Sequence, residues 1–195
     1  WVFLAVTPTV GNKILNSLKF NKNKMIISLI STINLTQLKK ITGLKSNIVR
    51  AIPLPPIALC KGPVPIYPPN NKVKKFFDKL GSTVEISNEK LSLNFWSTSA
   101  MMAPFYEILY SLSNWLVKKG TKKENAQKYI SSLFLALSED AFNHKKNLKR
   151  LVIESQTPGG LNEQAVKDLR KAGFYRLLEK TSNRIVKRLN KSQSN

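Results

Sequence analysis

The spacing of apolar residues changes character near residue 88. Before it, short runs that are apolar at successive positions, "WVFLAV" at 1–6, "MIISLI" at 25–30 and "NIVRAI" at 47–52, alternate with stretches of helical spacing. Val10, Ile14, Leu15 and Leu18 mark one such stretch; Leu35, Leu38 and Ile41, ended by Gly43, mark the next. Runs that are apolar on both faces suit strands covered on both sides, as in a parallel sheet, and the stretches between them are long enough for crossover helices. The pattern predicts β-α-β-α-β, part of a doubly wound α/β domain. The Pro-rich "PLPPIALCKGPVPIYPP" follows, within which "PVPIY" reads as an edge strand, because proline removes backbone donors. A helix from about Asn71 to Leu80, closed by Gly81, leads to a last strand, "STVEI".

From about Asn88 the period is helical. Phe105, Ile108, Leu109, Leu112 and Leu116 form one stripe of a long helix running to Lys119, with Pro104 at its kink or its start. Gly120 reads as the C-cap, and Thr121 with Glu124 as a capping box for a helix carrying Tyr129, Ile130, Leu133, Leu137 and Ala141. Shorter helices are predicted near Asn147–Glu154, Leu161–Lys171 and Phe174–Leu189. The expected organisation is residues 1–87 as the C-terminal part of a Rossmann-type domain, 88–192 as an all-helical domain, and 193–195 as a frayed tail. The long helices carry aromatics and leucines on more than one face, which suits burial against a second chain or a wide internal core stripe.

Composition narrows the chemistry. The chain has 195 residues, is 42% hydrophobic, and carries a formal charge of +21. The excess is mostly Lys and is spread from Lys13 to Lys191, whereas phosphate and base recognition favour clustered Arg. The clusters Lys118, Lys119, Lys122, Lys123 and Lys145, Lys146, Lys149, Arg150 lie at expected helix ends without an aromatic stacking motif. Nucleic acid is therefore disfavoured as a partner. Cys60 is the only cysteine and His144 the only histidine, so no internal disulfide can form and no metal site is expected. His144, followed by two lysines, reads as exposed rather than catalytic. No apolar stretch reaches the roughly 18–20 residues of a membrane span, and the opening run has no basic segment or cleavage site of a signal peptide. A cytoplasmic protein is expected. The start at Trp1, inside an apolar run, suggests a fragment.

Neither G-x-G-x-x-G nor a P-loop is present in the sequence, so a dinucleotide cradle would have to lie outside it. Four stretches nevertheless resemble the pyrroline-5-carboxylate reductase family. "VFLAVTP", Val2–Pro8, is similar to the family strand usually ending Ala-Val-Lys-Pro, with Thr7 in place of Lys. "VRAIPLPP", Val49–Pro56, resembles Val-Arg-x-Met-Pro-Asn-Thr-Pro, with Leu54 and Pro55 for Asn and Thr. "SAMMAPFY", Ser99–Tyr106, stands for Ser-Gly-Ser-Gly-Pro-Ala-Tyr, with Met101, Met102 and Ala103 replacing Gly-Ser-Gly. "QTPGGLN", Gln156–Asn162, resembles Thr-Ser-Pro-Gly-Gly-Thr-Thr, with Leu161 and Asn162 for the two threonines.

The resemblance implies an NAD- or NADP-dependent reductase acting on a C=N or C=O bond of a small carboxylate-bearing substrate. It implies a homodimer through the helical domain and cofactor contacts from Ala5, Val6, Thr7, Pro8, Arg50, Pro53 and Leu54. Substrate contacts would come from Met102, Thr157, Gly159, Gly160, Leu161 and Asn162. Gly159 and Gly160 could present backbone N–H groups to an anion. Tyr106 is a candidate proton donor, or else a core tyrosine; Arg50 could pair with a phosphate or carboxylate, or else be an ordinary surface residue. Because leucine cannot donate as a threonine hydroxyl does, the pocket suggests a substrate other than the family's usual one. A dimerisation module lacking the cofactor half is the alternative reading.

Overall fold

The computed structural model describes residues 1–44, 47–144 and 147–194. Five strands form one sheet in sequence order: β1 (Val2–Leu4), β2 (Ile26–Ser28), β3 (Ile48–Ala51), β4 (Pro63–Tyr67) and β5 (Ser82–Glu85). The first three are parallel, β4 runs antiparallel to β3, and β5 is parallel to β4. The expected β-α-β-α-β unit is present, with α1 (Pro8–Ile14) and α2 (Leu35–Thr42) as crossovers. Alternation along the strands divides the core in two. Leu4, Ile26 and Ile48 join Leu15, Ile30 and Leu38 on one face; Ile27, Val49, Val64 and Ile66 join Val73 and Phe77 on the other. β2 and β3 are buried on both faces, which explains why Ile26–Ile27 and Ile48–Val49 are apolar at successive positions.

Local chemistry sets the helix ends. Asn34 and Gln37 form a reciprocal capping box at α2, which ends at Gly43 with φ 68°. Asn70 caps α3 (Asn71–Phe77). That helix stops before the expected Leu80, and Gly81 serves a different need: a Cβ there would lie 2.5 Å from the Gly62 carbonyl oxygen, which accepts the Ser82 N–H at 2.9 Å where β4 and β5 begin to pair. A second correction concerns "PVPIY". It lies inside the sheet, between β3 and β5, where Pro65 takes part as an acceptor: its carbonyl receives the Ile52 N–H at 3.2 Å.

Helices continue with α4 (Glu89–Ser99), α5 (Met102–Lys118), α6 (Lys123–Asn143), α7 (Leu148–Glu154), α8 (Leu161–Lys171) and α9 (Phe174–Ser194). Pro104 falls in the first turn of α5, where its missing N–H costs nothing, so it marks a start and not a kink. At the other end Gly120, φ 95°, closes α5: its N–H bonds the Val117 carbonyl and the Thr121 N–H bonds that of Leu116, the double closure of a Schellman motif. The expected Thr121–Glu124 capping box does not form; α6 starts one residue later, with Lys122 at its N-cap and no side-chain cap. Nor does the chain leave helix at residue 193, since α9 continues to Ser194; Asn195 lies outside the described residues.

Internal contacts divide the chain into residues 1–99 with 182–195, and residues 100–181. α4 lies within the first of these, where its Ser92, Leu93, Trp96 and Ser97 are buried. In the second unit the main packing is α5 against α6. Among its described residues only Ser113, Ala126 and Ile130 are buried, while Trp115, Tyr129, Leu135 and Phe142 are exposed. Its helices therefore have a core on one side and apolar side chains in water on the others.

Candidate active site

In an open α/β sheet, ligands bind where parallel strands end and their connections leave the carboxyl edge. The connections after β1, β2 and β3 share that edge. Ala5, Val6 and Thr7 follow β1, and Pro8 opens α1. Ala5 and Thr7 are exposed, whereas Val6 packs on the core. Thr7 is the N-cap of α1, yet its side chain makes no cap bond, so its hydroxyl is not committed to the helix. Pro53 and Leu54 follow β3 and are half-buried. The two segments are two strand spacings, about 10 Å, apart. The turn after β2 stands between them.

Arg50 is not a surface residue; it pairs with a carboxylate, that of Glu89 in the same chain. Its side chain is fully buried. Nη1 donates to Glu89 Oε1 at 2.7 Å, Nη2 donates to the Ser31 carbonyl at 2.9 Å, and the guanidinium carbon lies 4.1 Å from the centre of the Trp96 ring. Desolvation lowers its pKa to about 10, against the opposing pull of Glu89, so the group remains a cation at neutral pH. Glu89, Ser31 and Trp96 were not singled out in the sequence. The local signal for Glu89 was its place in the first turn of a helix, which favours an acid there, but nothing local could name its partner 39 residues away.

The Pro-Gly-Gly turn joins α7 to α8. Gly159 has φ 72°, a left-handed conformation that glycine adopts without steric cost. Gly160 is the N-cap of α8, with ordinary extended angles; here the constraint is space, because a Cβ would lie 2.9 Å from the Thr157 carbonyl oxygen. The expectation that both glycine N–H groups face an anion is corrected. The Gly159 N–H donates to Glu163 Oε2 at 2.9 Å and the Gly160 N–H to the Thr157 carbonyl at 2.8 Å. The first-turn N–H groups of α8, from Leu161 onward, are the ones a helix leaves without internal partners. Asn162 clips the loop, its Nδ2 donating to the Ser155 carbonyl at 2.9 Å, and Thr157 is exposed. Leu161 is 85% exposed. Hydrogen bonds from Lys167 and the Gly159 N–H hold the Glu163 carboxyl below its ordinary pKa of 4.5.

Gln156 and Asn162 help line a groove of about 590 Å³ whose other walls include Leu133, Leu137, Leu151 and Leu169. Tyr106 and Met102 lie in the first turns of α5. Tyr106 is not a core residue: it is 54% exposed, with its ring 5.8 Å from that of Phe105. His144, expected to be exposed, is half-buried; Lys145 and Lys146 lie outside the described residues.

Residues 94–192, more than half of the chain, match the family model for pyrroline-5-carboxylate reductase dimerisation. The chain belongs to the pyrroline-5-carboxylate reductase family. No curated protein matches the sequence. Among solved structures, the Plasmodium falciparum pyrroline carboxylate reductase with NADP bound is 22% identical, with a TM-score of 0.84 over 98% of this chain and 76% of its own. The Streptococcus pyogenes 1-pyrroline-5-carboxylate reductase is 20% identical, with a TM-score of 0.82 over 100% and 76%. That of Coxiella burnetii is 24% identical, with a TM-score of 0.81 over 98% and 75%. At these identities the likeness establishes the fold: part of a Rossmann-type sheet followed by the family's helical dimerisation domain. Among the described residues no helix is long and apolar enough to cross a membrane.

Proposed function

We propose that the protein is a pyridine-nucleotide-dependent reductase that delivers hydride to a C=N or C=O bond of a small carboxylate-bearing substrate, and that it works as a homodimer. The observation that carries the proposal is the family match over residues 94–192, which contains the Pro158-Gly159-Gly160 turn at the start of α8. In this reading Ala5–Pro8 and Pro53–Leu54 lie along the nicotinamide and its ribose. The cofactor supplies the hydride; the protein supplies orientation and charge. Support comes from the shared carboxyl edge of β1, β2 and β3 and from the NADP bound in the Plasmodium relative.

The substrate would be held at the start of α8, its carboxylate facing the first-turn N–H groups and the positive end of the helix dipole. Thr157, Gly159, Gly160, Leu161, Asn162 and Met102 are proposed to contact the substrate, and Tyr106 to deliver a proton. Leu161, Met101 and Met102 make the pocket's walls larger and more apolar than the family's hydroxyl- and glycine-bearing pattern, so the preferred substrate is proposed to differ from pyrroline-5-carboxylate. A second copy would cover Leu161 and the exposed faces of α5 and α6. The residue ranges 1–87 and 88–192 are proposed as the evolutionary domains.

By itself the chain is expected to be inactive; joined to a glycine-rich dinucleotide cradle it should oxidise NADPH or NADH, followed by loss of nicotinamide absorbance. A panel of cyclic imines with and without a carboxylate should give turnover that depends on the carboxylate and is not greatest with pyrroline-5-carboxylate. Turnover greatest with pyrroline-5-carboxylate would overturn the substrate assignment. A dimer that binds neither nucleotide nor imine would instead mark a dimerisation module.

A further inference from the structure

Three stretches of chain, β3, the turn after β2 with the start of α2, and α4, meet at one buried cation. Through Nη1, Nη2 and the ring contact, Arg50 at the end of β3 holds Glu89 and Trp96 of α4 and the Ser31 carbonyl in the turn after β2. The same Glu89 Oε1 accepts the Leu35 N–H at 2.7 Å, which ties the first turn of α2 to the pair. That turn after β2 lies between the two connections assigned to the cofactor. We propose that Arg50 is a positioning residue: it latches the turn after β2 and the start of α4 to the end of β3, and so fixes the carboxyl edge on which the nucleotide lies.

The inference rests on the cofactor reading for its functional half only; the latch stands on geometry. A purely stabilising role is a poor account of such a group. Desolvating a guanidinium and a carboxylate offsets most of what their attraction returns, and apolar residues of similar volume commonly serve a core as well or better. What an apolar pair cannot supply is direction. The guanidinium fork addresses two acceptors on different segments at once, and a lysine ammonium has no such fixed geometry. Arg50 Nε and Trp96 Nε1 are buried without a hydrogen-bond partner, so the guanidinium sits where the latch needs it while one of its own donors goes unsatisfied.

The test uses the whole chain and three variants, R50K, E89Q and the apolar pair R50M/E89L. Amide hydrogen exchange is read at residues 29–35, 52 and 54 and compared with β4 and β5. Charged hydrogen bonds of this kind predict a rise of about ten- to a hundredfold in exchange at those residues in R50K, with β4 and β5 unchanged. The apolar pair should recover the melting temperature of the unaltered protein without recovering that protection. In the chain joined to a glycine-rich dinucleotide cradle, NADPH affinity should fall about tenfold or more in both R50K and R50M/E89L. Exchange that rises uniformly through the sheet, or protection that returns together with the melting temperature in the apolar pair, would overturn the latch. Failure of the joined, otherwise unaltered chain to bind NADPH would count against the cofactor reading alone, since the exchange measurement needs no ligand. If R50K does not fold, E89Q, which keeps an acceptor but removes the charge, gives the same comparison.

Discussion

The two adjacent glycines should respond to substitution in opposite ways, because each is required for a different reason. At Gly159 the requirement is conformational. With φ 72° and nothing within 4 Å of an added Cβ, alanine meets no clash but must hold a left-handed backbone, at about 1–2 kcal/mol. Asparagine tolerates that region better and should cost less. At Gly160 the angles suit any residue, φ −83° and ψ 169°, and the requirement is space. A methyl group 2.9 Å from the Thr157 oxygen and 3.2 Å from its Cβ must push the turn open. The Gly160–Thr157 bond then weakens, a loss of about 0.5–1.5 kcal/mol, while the stiffer unfolded chain returns about 0.4–1 kcal/mol. Gly159→Ala should therefore lose stability and keep the geometry of the turn, whereas Gly160→Ala should keep most of the stability and lose the geometry. Urea unfolding at one fixed protein concentration measures the first effect. The NMR shift of the Asn162 side-chain amide, which reports its bond to Ser155, measures the second. Equal costs for Ala and Asn at 159, or an unmoved Asn162 resonance in Gly160→Ala, would refute this division of roles.

Acid should loosen the same turn. The Glu163 carboxylate has a depressed pKa in the folded state, so its contribution is present above 4.5 and is lost as pH falls through the lower folded value; the Gly159 amide resonance should shift with a midpoint below 4.5. Changing Leu161 and Asn162 together to threonine should move substrate preference toward pyrroline-5-carboxylate, seen as a changed ratio of kcat/KM across the imine panel; an unchanged ratio would count against the pocket. Gly81→Ala forces a Cβ to within 2.5 Å of the Gly62 oxygen and should lower stability by about 1–3 kcal/mol, read from the denaturation midpoint, without altering the helical unit. Leu135→Glu, at a side chain 62% exposed in the single chain, should weaken self-association and leave the helical circular-dichroism signal intact.

What could be read from the sequence was what local spacing encodes. Runs at 26–30 and 48–52, apolar apart from Ser28 and Arg50, announced strands covered on both faces, and Gly43 and Gly120 marked helix ends because their left-handed closures leave a glycine in the sequence. The Pro-Gly-Gly turn was legible for the same reason. Partners distant along the chain were not legible. Arg50 reads equally as a partner for an anion or a surface residue until Glu89 is known to face it, and Pro63 and Pro65 read as an edge until β5 is seen beside them. The glycine N–H groups were misjudged because Glu163 reaches back to one of them and Thr157 to the other, a choice that the motif does not reveal.

Exposure in the helical unit carries the central claim. With Trp115, Tyr129, Leu135, Phe142 and Leu161 in water, and few residues buried beneath them, this unit needs a second copy to cover it. Sedimentation of the purified chain across a range of concentrations tests this directly. The account predicts a dimer of about twice the 22.0 kDa chain mass, dissociating only on dilution and then with loss of helical signal. A folded monomer of 22.0 kDa at every concentration would contradict it.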